Sequence, residues 1–256
     1  MSVVVPEVEF RDVSKRFPGA EVAVLEGITL AVERGEFVSI IGPSGCGKST
    51  LLKLVAGLSA CTSGEIAVNG MKPKNAREMV SFVFQDATLL PWRTVERNVA
   101  LAMELEGRTR EETANTVKRL LELVGLEGAG KRYPRELSGG MKMRVSIARA
   151  LATKPRLLLM DEPFAALDEM TRDHMNEELL RLREEQDWTV LFVTHSVAEA
   201  VFLSSRVIVL APHPGRVAHQ VVVDLPYPRT EATRESEAFD ALVNKTSRLL
   251  REAHRL

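Results

Sequence analysis

The run Gly42-Pro43-Ser44-Gly45-Cys46-Gly47-Lys48-Ser49-Thr50 has the residue types and spacing of an anion cradle. Its three glycines let successive backbone N–H groups turn inward and form a concave, electropositive nest. The apolar run Phe37-Val38-Ser39-Ile40-Ile41 precedes it and Leu51-Leu52-Lys53-Leu54-Val55-Ala56 follows, so the stretch reads as strand, glycine loop, helix. The helix adds unpaired N-terminal donors and the positive end of its dipole. Lys48 is spaced to reach the terminal phosphates of a nucleotide, and the Ser49 hydroxyl to ligate a magnesium ion that bridges them.

Further polar groups stand where other apolar runs stop. Gln85 follows Val80-Ser81-Phe82-Val83-Phe84, Asp161-Glu162 follows Leu157-Leu158-Leu159-Met160, and Thr194-His195 follows Val190-Leu191-Phe192-Val193. Short unbroken apolar runs suit strands buried on both faces. Alternating with helical segments, they imply a mainly parallel sheet, which binds ligands at the carboxyl ends of its strands. Gly42, Gln85, Asp161, Glu162 and His195 are therefore expected on one sheet edge. Phosphoanhydride hydrolysis needs positioning and charge neutralisation more than covalent chemistry. Asp161 suits a magnesium ligand, directly or through water, and Glu162 the group that orients or deprotonates the attacking water. Gln85 can offer an amide oxygen to metal or water, and His195 a hydrogen bond to the γ-phosphate. Ser138-Gly139-Gly140 opens a further helix and forms a second anion-binding device. One nucleotide has few phosphates to share between two such devices, so two chains are expected to meet head to tail, each closing the other's site. Phe17, in a loop, reads either as core or as a stacking platform for a purine.

The elements that must position these groups can be traced in the same 256 residues, a length for one large domain or two small ones. Val8 and Phe10, and then Ile28, Leu30 and Val32, alternate with polar residues as in half-buried antiparallel strands. Gly64 to Gly70 reads as a short strand ending in an Asn-Gly turn, and Val217 to Leu225 as a last strand or hairpin. Thr109-Arg110-Glu111-Glu112 is a capping box, and Ser138 can cap the helix carrying Val145, Ala148 and Leu151. Residues 91–150 thus read as a helical subdomain inserted between strands. After Thr230, Phe239, Leu242, Val243, Thr246, Leu249, Leu250 and Ala253 fall on one helical face, to pack on this domain or to meet a partner.

Lys plus Arg number 34 against 35 Asp plus Glu, a formal charge of −1, which gives no electrostatic basis for sequence-independent nucleic-acid binding. Two cysteines, Cys46 and Cys61, are too few for a disulfide framework and fit a reducing compartment. Acids in the first ten residues argue against a secretory leader, and no run of about 18 apolar residues occurs. A cytosolic protein is expected, unless a partner holds it at a membrane.

Taken together, these residues resemble the ATP-binding cassette (ABC) ATPases from about Val8 to Arg229. Gly42 to Thr50 is similar to the family's Walker A loop, Leu137 to Met141 to its signature motif, and Leu157 to Glu162 to Walker B with the catalytic glutamate. Gln85 resembles the Q-loop residue, Ala166-Leu167-Asp168 the D-loop, His195 the H-loop switch and Phe17 the adenine-stacking aromatic. Met141 departs from the usual glutamine, and Ala165 from the frequent serine before the D-loop. The resemblance implies an α/β P-loop NTPase fold: a core over about 1–90 and 151–229 with a mainly parallel sheet, an antiparallel β subdomain, an α-helical subdomain over 91–150, and a helical tail over 230–256. It implies ATP and Mg2+ as ligands, with Asp168 and Ser138-Gly139-Gly140 contributing to the nucleotide site across a homodimer.

Finer wording is similar to nitrate, sulfonate and taurine importer ATPases: Leu89-Leu90-Pro91-Trp92, Asp161 to Asp168, Pro212-His213-Pro214-Gly215-Arg216 and Leu225-Pro226-Tyr227-Pro228-Arg229. The sequence runs about 40 residues beyond Gly215, short for an added regulatory domain. This likeness implies an ATP hydrolase on the cytoplasmic face of the inner membrane, driving uptake of a small anion. It would dock on two permease subunits through Gln85 to Arg97, fed by an extracytoplasmic solute-binding protein. An importer of another solute, such as a thiamine precursor, is the alternative within transport, since this subunit does not itself touch the cargo. The alternative from another class is a soluble cassette ATPase acting on ribosomes or DNA, which near-zero charge, a single cassette and the absence of a long coiled-coil insertion disfavour.

Overall fold

The computed structural model describes residues 5–186 and 188–255. Two sheets carry the chain. Strands β1 (Val8–Lys15), β2 (Leu25–Val32) and β4 (Ser63–Val68) form an antiparallel sheet in the order β2-β1-β4. Phe10 stands opposite both Leu30 and Ile66, so the alternating apolar residues of three strands share one buried face. At the end of β4, Asn69 (φ 49°) and Gly70 (φ 73°) make the expected tight turn.

The second sheet has the order β5-β6-β7-β3-β8-β9, formed by β5 (Val80–Val83), β6 (Leu157–Asp161), β7 (Thr189–Val193), β3 (Phe37–Ile41), β8 (Arg206–Ala211) and β9 (Arg216–Val222). All neighbours are parallel except the β8–β9 hairpin. The apolar runs of its central strands are explained by what covers them. Phe37, Leu158, Met160, Val190, Phe192, Val207 and Val209 belong to one apolar cluster, and their alternates Val38, Leu157, Leu159, Leu191, Val193, Ile208 and Leu210 to another. Each strand therefore feeds two cores with a period of two, and neither face is left open to solvent.

Helices complete the layers. α1 (Lys48–Val55) packs between β6 and the antiparallel sheet. Between β5 and β6 the chain runs through α2 (Val95–Leu105), α3 (Arg110–Leu123) and α4 (Gly139–Leu151). Thr94 caps α2 with 3.4 Å from Arg97 N, both halves of the Thr109–Glu112 capping box form at α3, and Ser138 caps α4. α5 (Glu169–Gln186) and α6 (Val197–Leu203) flank β7, and α7 (Glu231–Arg234) leads to α8 (Glu237–Ala253). The apolar face of α8 lies on this chain's own core, against α6, β8 and β9, with Phe239 edge-on to Phe202.

The last strand is shorter than its apolar pattern suggests. Val223 and Leu225 are buried, yet the regular strand ends at Val222, with one further bond from Val223 N to Ser205 O at 2.9 Å, ahead of Pro226 and Pro228. Phe17 and Trp92 are exposed by 44% and 72%, so neither is the core residue that an isolated aromatic suggests. Lys15 Nζ stands 4.9 Å from the centre of the Phe17 ring.

Candidate active site

Because β5, β6, β7 and β3 are neighbouring parallel strands, the residues that follow them meet along one sheet edge. At β3 the chain enters the phosphate loop. A side-chain carbon on Gly42 would lie 2.8 Å from Cys46 Sγ and 2.9 Å from Leu210 O, which explains the requirement for glycine. Gly47 takes a left-handed conformation (φ 98°) as the residue before α1. Cys46 is buried under the loop, and burial pushes its thiol pKa up. Ser44 and Gly45 form the exposed tip, with Pro43 and Thr50 half-buried beside it.

Lys48 is buried, and its ammonium donates to the carbonyls of Gly42 at 2.9 Å and Pro43 at 3.0 Å. The charge is thus held over the loop by weak neutral acceptors, which anionic phosphate oxygens can outcompete. Ser49 Oγ donates to Asp161 Oδ1 at 2.9 Å. Asp161 ends β6 almost fully buried. Burial pushes its pKa up and the neighbouring Glu162 adds to this, against the Ser49 hydrogen bond and the charges of Lys53 and Lys48.

Glu162 turns away from Asp161 because its backbone is left-handed (φ 50°), while its N–H still donates to Val193 O at 2.9 Å. That turn brings Glu162 Oε1 to 2.7 Å from Nε2 of the half-exposed His195. Two close pairs thus line the edge, Ser49 with Asp161 and Glu162 with His195.

Gln85 is exposed two residues beyond β5 and makes no side-chain hydrogen bond among the described residues. Ser138, at the exposed start of α4, accepts from Met141 N at 3.3 Å. Gly139 faces open space, whereas a side-chain carbon on Gly140 would lie 2.9 Å from Leu167 Cδ2. This device therefore abuts the turn before Asp168 in its own chain, and among the described residues no hydrogen bond joins it to the phosphate loop. Asp168 caps α5: it accepts from Thr171 N at 2.9 Å and from Thr171 Oγ1 at 2.7 Å, and these bonds hold its pKa below the usual range.

Several supports of the site escape the motif reading. Fully buried Asn98 makes four hydrogen bonds to the backbone of Leu90, Arg93 and Thr94, which fixes the loop carrying exposed Trp92. Arg149 of α4 donates to the carbonyls of Ala87 and Thr88, tying that helix to the segment after Gln85. Gly215 presses on Cys46 O from the β8–β9 turn. Buried Glu199 accepts from Thr194 Oγ1 behind His195; its only sequence signal is an acid within the otherwise apolar Val197-Ala198-Glu199-Ala200-Val201-Phe202.

A protein-family model described as ABC transporter matches residues 25–165, which include the phosphate loop, Gln85, Ser138 to Gly140, Asp161 and Glu162. The chain belongs to the ABC transporter family. His195 and Asp168 lie beyond the matched stretch of this ABC ATPase. It is 48% identical over 219 residues to an uncharacterized ABC transporter ATP-binding protein of Methanocaldococcus jannaschii, covering 86% of this chain and 82% of the relative. It is 44% identical to the aliphatic sulfonates import ATP-binding protein SsuB of Bacillus cereus, over 93% of each chain. The SsuB protein of Bacillus licheniformis is 46% identical, over 87% of this chain and 85% of that one. Among solved structures, the ATP-binding cassette MJ0796, dimeric in a post-hydrolysis state with ADP and Pi, superimposes with a TM-score of 0.79 at 33% identity, covering 86% of this chain and all of that one.

Proposed function

We propose that this ABC ATPase is the hydrolytic subunit of an importer for aliphatic sulfonates, in which ATP closes a head-to-tail homodimer and its hydrolysis reopens it. The observation that carries the chemistry is the single sheet edge where the Lys48 cradle, the Ser49–Asp161 pair and the Glu162–His195 pair stand together. Lys48 exchanges its two carbonyl acceptors for β- and γ-phosphate oxygens. The two hard oxygens of Ser49 and Asp161, 2.9 Å apart with Asp161 short of other partners, fit Mg2+. The ion, when bound, neutralises charge on the phosphates. Glu162 orients and deprotonates the attacking water, and His195 holds that carboxylate and the γ-phosphate in register. Gln85 senses metal or water from the neighbouring strand, and Phe17 stacks on the adenine.

The second half of each nucleotide site comes from the partner's copy of the Ser138-Gly139-Gly140 start of α4, with Asp168 at the interface. The open space at Gly139 supports this reading, as do the dimeric structures of MJ0796. The face formed by residues 85–97, with exposed Trp92, meets two permease subunits. Those subunits hold the ATPase peripherally, on the cytoplasmic face; among the described residues no helix is long and apolar enough to cross a membrane. An extracytoplasmic binding protein delivers the solute. The sulfonate assignment rests on the SsuB relatives, which are 44–46% identical over most of both chains.

Reconstitution with the permease pair in proteoliposomes tests the assignment. A binding protein loaded with an aliphatic sulfonate, taurine among those tried, is expected to stimulate ATP hydrolysis and drive uptake, with nitrate as the comparison cargo. Stimulation by nitrate but by no sulfonate, or by neither, would sink the cargo assignment. Absence of ATP hydrolysis with any cargo would sink the enzymatic one.

A further inference from the structure

The residue between Thr194 and Ser196 is His195, and both neighbours are fixed from behind. Ser196 N donates to Thr194 Oγ1 at 3.0 Å, so the threonine side chain closes a small ring around the histidine backbone. The Thr194 hydroxyl in turn donates to Glu199 Oε2. Glu199 N donates back to Ser196 Oγ at 3.2 Å, which caps α6. Two of the bonds that shape the turn, the one from the Thr194 hydroxyl and the one to Ser196 Oγ, therefore meet at residue 199, whose carboxylate is buried in the first turn of a short apolar helix.

A charged side chain is costly in that position unless it is compensated. Burial pushes the Glu199 pKa up; the Thr194 hydroxyl within the turn acts against this first, and then the charge of Arg172 on α5, the buried amide of Asn176 and the charge of Arg234 on α7. Arg172 Nη2 donates to Leu167 O at 2.9 Å, in the turn before Asp168. Arg234 pairs with Asp173 at 3.0 Å and lies 3.5 Å over the Phe202 ring. Glu199 thus sits between the His195 turn on one side and the 165–168 turn on the other. A role in packing alone would be filled better by an apolar residue of similar size.

We propose that Glu199 is a positioning residue for ATP hydrolysis, which acts through Thr194 to hold the turn that presents the His195 imidazole to Glu162. The inference rests on the proposed role of His195. Loss of this support lets the imidazole leave its 2.7 Å contact with Glu162, and small misplacements of a reacting group cost up to about 100-fold in rate. The effect belongs in turnover, since neither residue is part of the phosphate cradle.

Steady-state ATP hydrolysis by the full chain tests this with five variants. Thr194→Val and Glu199→Ala are expected to lower kcat by about 10- to 100-fold while leaving the KM for ATP within about twofold. Glu199→Gln, which retains an acceptor for Thr194, is expected to stay within about threefold of wild type. Combined with His195→Ala, Glu199→Ala is expected to add less than about a twofold further loss, because the two act as one unit. Full turnover in folded Thr194→Val and Glu199→Ala, with His195→Ala inactive, overturns the proposal and leaves the role of His195 standing. Full turnover in His195→Ala overturns both. Should Glu199→Ala fail to fold, Thr194→Val decides: a kcat loss supports the proposal, and wild-type kcat overturns it.

Discussion

Glu162 Oε1 lies 2.7 Å from His195 Nε2, although the two residues end different strands and stand 33 positions apart. β6 and β7 are parallel neighbours in which Asp161 pairs with Val193, so residues one and two places beyond that pair meet in space. The left-handed backbone of Glu162 does the rest: it sends Asp161 inward to Ser49 and Glu162 outward to His195. Two adjacent acids thereby acquire different surroundings, Asp161 buried against Ser49 and Glu162 beside the half-exposed His195, as metal binding and water activation require.

Glu162→Gln keeps the side-chain volume and a hydrogen-bonding partner for His195 but removes the base. Turnover is expected to fall by about 100- to 10,000-fold with ATP affinity retained, and an ATP-bound dimer to accumulate. Single-turnover hydrolysis and size-exclusion chromatography with ATP check this; wild-type hydrolysis would remove Glu162 from the mechanism.

Lys48→Ala takes away the buried ammonium that bridges the Gly42 and Pro43 carbonyls. ATP affinity is expected to drop by about 100-fold, or about 2.7 kcal/mol. Titration calorimetry measures it, and unchanged affinity would contradict the phosphate-loop reading.

Asp161→Asn separates stability from activity. The pKa of Asp161 is raised in the fold by burial, so its charged form costs stability: the native state is favoured below the ordinary aspartate pKa and loses that advantage as pH rises through the raised value. The asparagine variant, still able to accept from Ser49, is therefore expected to melt a few degrees higher than wild type at pH 7 without nucleotide. The gap should close on acidification, when both side chains are neutral, and Mg2+-dependent hydrolysis should be lost. A lower melting temperature at pH 7 would show that the charge is compensated in the apo fold.

Gly215→Ala acts on the phosphate loop from outside it. The added carbon would lie 2.0 Å from Cys46 O, and Gly215 is itself held by backbone bonds to Val24 and Glu26. Relief requires backbone movement, at a cost of about 2–3 kcal/mol in stability, and moves the loop. Urea unfolding and ATP titration should both show a loss; an unaffected ATP affinity would mean that the turn yields instead.

The sequence by itself determined the chemistry and most of the elements. The glycine loop, the acids after an apolar run and the capping residues are local signals, legible because each depends on neighbours within a few positions: Thr109 with Glu112, Gly47 with α1, Asn69 with Gly70. Period-two burial of β3, β6, β7 and β8 could be inferred only as unbroken apolarity, since both faces are covered. What the tertiary structure alone decided are contacts between residues far apart in sequence. These are Gly215 against Cys46, Arg149 on Ala87 and Thr88, and the placing of Arg172 and Arg234 around Glu199. It also decided that Phe17 and Trp92 are exposed and that Asp168 caps its own helix. The physical reason is range. Backbone propensity and capping act over one turn, whereas these contacts depend on strand order, which brings together side chains that no local pattern relates.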